Sequence, residues 1–264
     1  VNDISFIGSQ FEFRREIPWM DDDAAGFGAS RSNYETKVIA GNTFDYPIVH
    51  GEAIMAAGYS FVSSSMDAFA GKSFNAEQYP VVDIIMGKQK EVKIGRGAVP
   101  NRYKTMSPEL MTTITEYTKT GGNVMLTGSF IATDIWDKKN AVEEEKAFAA
   151  DVLGYKWRVG QAAIVGKIHS VPSIHSKLSD DGSWTFGMEL NDKIYAVESP
   201  DAIYPADTQT GATVFRYTEN NIPAGVASSK NGYKTFVLGV PFEVIKGKEN
   251  RNAFMQRVLN FFEK

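Results

Sequence analysis

The chain of 264 residues contains no cysteine. Disulfides, thiolate metal sites and a cysteine nucleophile are therefore excluded. Histidine is nearly as scarce. His50, His169 and His175 are the only three, so any imidazole chemistry must use one of them. No apolar run approaches the ~20 residues of a membrane-spanning helix. Positive charge is not in excess either: 28 Lys and Arg against 32 Asp and Glu give a net charge of −4. A nucleic-acid partner is not expected from that balance. The chain opens at Val1 with no signal-peptide pattern, which reads as a processed protein or a piece of a longer one.

What is present is ample core material. Hydrophobic residues make up 43% and aromatic residues 12% of the chain, and a chain of this size can bury roughly 70–75% of its unfolded surface. One domain spanning 1–264 is expected. The first 45 residues read as a long loop carrying the acidic stretch WMDDDAAGFGASRSN. From Pro47 the pattern becomes regular. PIVHGEAIMAAG reads as a helix closed by Gly58, and YSFVSSS as a strand. VVDIIMG is a short apolar run of the kind found in buried parallel strands. SPELMTTITEYTKTGG reads as a helix, with Ser107 as N-cap and Pro108 at its first position. NVMLTG is another buried strand, and NAVEEEKAFAADVLG another helix. The strand–helix alternation predicts a mostly parallel α/β sheet. It breaks after Gly154, and 155–226 reads as a β-rich insertion or sheet extension. KNGY at 230–233 carries a tight-hairpin signal. The final helix places Phe254, Val258, Leu259 and Phe262 on one stripe.

The turn after NVMLTG is the first place to seek chemistry. A nucleophile elbow needs G-x-S-x-G, because the sharp turn requires glycine on both sides of an exposed serine. Around Ser129 the flanking positions are Thr127 and Ile131, with Gly128 inside. The motif fails, and a plain strand end is the better reading. Asp134 and Trp136 follow that turn, where parallel sheets bind ligands; an acid beside an aromatic suits a sugar, and equally suits a cap and a packed ring. Asp21, Asp22 and Asp23 invite a calcium loop, but Ala25 and Ser32 stand where ligands would be needed. No metal site and no cofactor are expected. The loop from Lys88 to Lys104 is basic, with Gln89 near its start, and would suit an anionic sugar or a plain solvated surface. His50 and Glu243 both lie where they can reach the strand ends. With Asp134 they form the candidate acid–base set.

Several segments together carry a family resemblance: PWMDDDAAGFGAS, VIAGNTFDYPIVHG, AAGYSFVSSS, YAVESPDAI and LGVPFEVI. Through them the chain resembles an exported bacterial family often labelled xanthan lyase and associated with golvesin C-terminal-like domains. The match runs from about Phe11 to Phe262. It implies a periplasmic or extracellular location and a polysaccharide setting. Members tend to carry a further strand upstream, which implies an open sheet edge in this chain. The layout of GGNVMLTGS and the late strand ending in GVPFE is similar to the class I glutamine amidotransferase-like group, and implies a flavodoxin-like three-layer α/β sandwich. Members of that group use a cysteine, so their chemistry is excluded in this cysteine-free chain. The leading expectation is a non-catalytic module that binds a glycan or a neighbouring domain, with Gln89, Gly128, Ser129, Asp134, Trp136 and Glu243 lining the cleft. The alternative is a carbohydrate-active hydrolase, esterase or lyase acting on an acidic polysaccharide through His50, Asp134 or Glu243. A third reading is a purely structural domain.

Overall fold

The computed structural model describes residues 1, 11–15, 23–24, 35–40, 46–91, 103–138, 141–189 and 194–263, with backbone alone for 11–40. The elements in chain order begin with β1 (Phe11–Arg15), β2 (Asp23–Ala24) and β3 (Glu35–Ala40), which form a small antiparallel sheet of their own. Then come α1 (Tyr46–Ala56), α2 (Met66–Ala70), β4 (Val81–Gly87), α3 (Pro108–Lys119), β5 (Asn123–Gly128), α4 (Thr133–Trp136) and α5 (Glu143–Phe148). A π-helical turn, Ala149–Leu153, extends α5. The remainder is β6 (Tyr155–Val159), β7 (Lys167–Ser170), β8 (Ser183–Thr185), β9 (Ala202–Pro205), β10 (Gly211–Tyr217), β11 (Pro223–Lys230), β12 (Tyr233–Leu238) and α6 (Lys248–Phe262).

Local chemistry explains the helices. The Ser107 side chain accepts from Leu110 N–H at 3.2 Å, and Pro108 opens α3 where its missing N–H costs nothing. Lys119 sits in the last turn of α3, against the negative end of the dipole. Ser65 caps α2 in the same way, accepting from Ala68 N–H.

The main sheet has seven strands in the order β4-β5-β12-β11-β10-β7-β8. Only β4–β5 and β5–β12 pair in parallel. The pairs β12–β11, β11–β10, β10–β7 and β7–β8 are antiparallel. This corrects the expectation of a flavodoxin-like, class I glutamine amidotransferase-like three-layer sandwich with a mostly parallel sheet. The physical reason is the turn at Asn231 and Gly232, whose φ values of 52° and 86° give the left-handed geometry of a two-residue hairpin. It reverses the chain between β11 and β12. β10, β7 and β8 then continue the sheet antiparallel, all drawn from the β-rich stretch. β6 and β9 pair separately. A second correction concerns YSFVSSS: residues 59–64 belong to no strand, and Ser65 alone makes a β-bridge.

Side chains alternate across the parallel ladder. Val82, Ile84, Met86, Val124, Leu126 and Val237 point to a cluster shared with α2, α3 and α5. Ile85, Met125, Phe236 and Leu238 point the other way, toward α1 and α6. Phe254 of α6 is fully buried there, within 5.1–6.0 Å of the rings of Trp184, Phe215, Phe236 and Phe242. Phe254→Ala removes that anchor, and such a truncation costs roughly 3–5 kcal/mol. At about 2–4 °C per kcal/mol for a chain of this size, calorimetry should show the unfolding midpoint falling by roughly 10 °C. A drop of a degree or two would mean that the aromatic cluster is not what holds α6 to the sheet.

Candidate functional site

His50 is the centre of a buried cluster of ionisable side chains that joins separate elements. It lies in the middle of α1, an apolar helix whose Tyr46, Gly51 and Ala53 are also buried. Asp83 interrupts the apolar run of β4. Glu243 follows β12, in the short 3₁₀ turn Phe242–Val244. The three converge. His50 Nδ1 lies 2.5 Å from Asp83 Oδ2, and Nε2 lies 3.2 Å from Glu243 Oε2. Tyr195 donates its hydroxyl to Glu243 Oε1 at 2.6 Å. The ring of Phe242 stands edge-on to the imidazole, 4.6 Å away. His50 is 2% exposed and Glu243 3%.

Burial works against a charged imidazole, but the charge and hydrogen bonds of Asp83, joined by those of Glu243, outweigh it and raise the His50 pKa to about 9. His50 is therefore an imidazolium at neutral pH, donating from both nitrogens to two carboxylates. Asp83 keeps one carboxylate oxygen, Oδ1, buried and without a hydrogen-bond partner among the described residues. His50 and Asp83 also border a cavity of about 240 Å³ that continues past Tyr59, Phe74, Tyr79 and Asn123.

Of the candidate residues read from the sequence, His50 and Glu243 meet. Asp134 does not join them. Its carboxylate accepts from Glu91 N–H at 2.9 Å and from the Thr105 N–H and hydroxyl at 2.9 and 3.0 Å, which ties down both ends of the basic loop. Trp136 packs on Tyr155, with ring centroids 5.9 Å apart. Ser129 is buried and donates to Gly87 O at 3.3 Å, as a strand-end residue would. Gly128 is held against β4, where a Cβ would come within 2.6 Å of Met86 Cβ. Gln89 is buried and donates to Lys104 O at 3.1 Å. Lys88 pairs with Glu198 at 2.9 Å and lies over the Tyr195 ring, 5.9 Å from its centroid. Lys93, Arg96 and Arg102 of the basic loop, and Asp21 and Asp22, lie outside the described residues.

Sequence reasoning missed Asp83, Tyr195 and Asp201. Asp83 had a signal: a carboxylate inside VVDIIMG, a run otherwise fit for burial on both faces, requires a buried partner. Asp201 is fully buried and accepts from the Ala132 and Thr133 N–H groups at 2.7 and 2.9 Å, and from the Thr133 hydroxyl. Burial pushes its pKa up to about 7 despite those hydrogen bonds. It shapes the turn after β5. Among the described residues, no group of three or more His, Cys, Asp and Glu side chains is arranged to hold a metal ion, and no helix is long and apolar enough to cross a membrane.

No family model and no curated protein matches the chain. Solved structures do share its fold. The β-galactosidase from Rahnella sp. R3 superimposes with a TM-score of 0.52 at 12% identity, covering 83% of this chain and 27% of that one. The β-galactosidase from Bacillus circulans sp. alkalophilus gives 0.50 at 12% identity, with 84% and 27% covered. The chain thus spans about a quarter of the length of these enzymes, and at such identity the likeness concerns the fold.

The raised His50 pKa has a stability consequence. The folded value, about 9, lies above the ordinary 6.5. The stabilisation is therefore complete below pH 6.5 and is lost as the pH rises through about 9, on the order of 3 kcal/mol in all. Titration of the His50 ring by NMR should show a midpoint near 9, accompanied by a falling unfolding midpoint between pH 6.5 and 9. A ring midpoint at or below 6.5 would rule out the clamped imidazolium.

Proposed function

We propose that this chain is part of a carbohydrate-active enzyme and that the His50–Asp83–Glu243 cluster is its acid–base centre. The observation that carries this reading is the clamped imidazolium. His50 occupies one oxygen of Asp83, holds that carboxylate in a fixed orientation, and leaves Oδ1 with no partner among the described residues. A carboxylate held in this way can accept a proton from water or from a sugar hydroxyl, the role a general base plays in hydrolysis. Glu243, fixed in turn by Tyr195, supports the imidazole from the far side. Asp83 would act on the substrate, while His50 and Glu243 would position it.

Carbohydrate as the substrate class is supported by the shared fold of the two β-galactosidases. It favours the hydrolase, esterase or lyase reading over a non-catalytic module. Lys88, half-buried just after β4, is described together with Lys90 and Lys104 of the basic segment. An acidic sugar is the finer form of the proposal, with Lys88 exchanging its Glu198 partner for a uronate or similar anion.

Purified chain would be assayed against aryl glycosides, acetylated sugars and uronate-containing oligosaccharides, beside the Asp83→Asn variant. Loss of a general acid or base typically costs about 10²–10⁴-fold, so turnover should fall by that much while the variant stays folded by circular dichroism. Undiminished activity in Asp83→Asn would remove Asp83 from the chemistry. Saturable sugar binding with no turnover on any substrate would support the non-catalytic module instead.

A further inference from the structure

β6 and β9 form a two-stranded ribbon with two unlike faces. The register sets Lys156 opposite Tyr204 and Trp157 opposite Ile203. Side chains alternate along each strand, so Tyr155, Trp157 and Ile203 point one way and Lys156, Arg158 and Tyr204 the other. The first three pack into the cluster shared with α2, α3 and α5. Lys156 and Arg158 are exposed, and Tyr204 is 40% exposed. The layer beneath them is fixed: Tyr155 is fully buried and donates its hydroxyl to Ile131 O at 2.7 Å.

The outer face carries positive charge that no described residue neutralises. Acidic residues outnumber basic ones in the chain, 32 to 28, and Lys72, Lys88, Lys104, Lys138, Lys146 and Lys248 each pair with a carboxylate. Lys156 and Arg158 pair with none among the described residues. The Tyr204 hydroxyl has no hydrogen-bond partner among them either. Asp207, just beyond β9, is engaged elsewhere: its carboxylate accepts from the Gln209 N–H at 2.9 Å and the Thr210 hydroxyl at 3.0 Å. Alternate residues of a strand lie about 7 Å apart, and directly opposite residues have Cβ atoms about 5 Å apart. One aromatic ring and two unpaired cations therefore share one small, rigid patch.

We infer that this face binds an acidic glycan, a run of uronate sugars, at a site separate from the acid–base centre. The electron-rich face of the Tyr204 ring attracts the C–H groups of a pyranose ring laid on it. The Lys156 ammonium meets a sugar carboxylate as a point charge, and the Arg158 guanidinium can hold one through two parallel N–H bonds. A nucleic acid also offers rings and negative charge, but a net charge of −4 opposes it. The choice of a sugar rests on the proposed carbohydrate activity; the position of the site does not. The ribbon packs on the α2–α3–α5 side of the sheet, whereas His50 lies in α1 on the other side. Holding the polymer and acting on it thus fall to different surfaces, and each can fail without the other.

The test titrates the full chain with tetragalacturonate, read by amide NMR and by calorimetry. The amides of Lys156, Arg158 and Tyr204 should shift and saturate, and do so equally in Asp83→Asn. Replacing both cations (Lys156→Gln with Arg158→Gln) should weaken binding about tenfold or more, and Tyr204→Ala roughly threefold to tenfold, with both variants folded by circular dichroism. High salt should weaken binding as well. Turnover of a small aryl glycoside should be the same in the double variant as in the unaltered chain. No shift at the ribbon with millimolar sugar would overturn the inference. So would unchanged binding in Tyr204→Ala, maltotetraose binding as tightly as the acidic sugar, or a single-stranded oligonucleotide binding more tightly. Loss of ribbon binding in Asp83→Asn would overturn the separate site.

Discussion

The strands β4, β5 and β12 form a parallel ladder covered on both faces, and this double burial constrains most of what surrounds it. Each of these strands presents apolar side chains alternately to two separate cores. Neither core can be left to water, so α2, α3 and α5 cover one face and α1 and α6 the other. Strands in this situation read as unbroken apolar runs because no position faces solvent. The antiparallel half of the sheet, from β11 outward, is an extension attached through β12. It contributes Phe215 and Trp184 to the core on which α6 rests.

Within so apolar a setting, one charged cluster is tolerated because it is paired. The His50 imidazolium joins α1, β4 and the turn after β12, three elements far apart in the chain. Burying ions is costly, and removal of a partner would strand the remainder in a medium that cannot solvate it. Well-packed apolar residues could stabilise the same junction at least as well. That a charged cluster stands there nonetheless, with one carboxylate oxygen left over, is the physical basis for assigning it a role beyond folding. Asp83 is tied twice over: its side chain holds His50, and its carbonyl accepts from the Val1 amino group.

Much of the local structure is legible in the sequence. Ser107 and Pro108 announce the start of α3, VVDIIMG and NVMLTG announce β4 and β5, and Asn231-Gly232 announces a hairpin. The direction of half of the sheet was not drawn from that hairpin, although it follows from it: a two-residue turn makes β11 antiparallel to β12, and the meander continues from there. YSFVSSS has the composition of a strand, yet a strand exists only if something pairs along it, and here Ser65 alone makes a bridge. Asp134 and Ser129 sit at strand ends, where ligands bind in parallel sheets, but their hydrogen-bonding capacity is taken up by Thr105, Glu91 and Gly87.

By itself the sequence determined what chemistry is absent and which segments must be buried. Without cysteine there is no thiolate, and with three histidines there are few imidazoles to place. Apolar runs, caps and turn residues act over a few neighbours, so they can be read in order along the chain. The tertiary structure decided which ionisable groups meet. His50 lies 33 residues from Asp83 and 193 from Glu243, and no local pattern encodes a distance across the core. Their proximity and the charge it places on the imidazole arise only when helix and strands pack. Each depends on what is excluded from the space between them, and exclusion is a property of the whole fold.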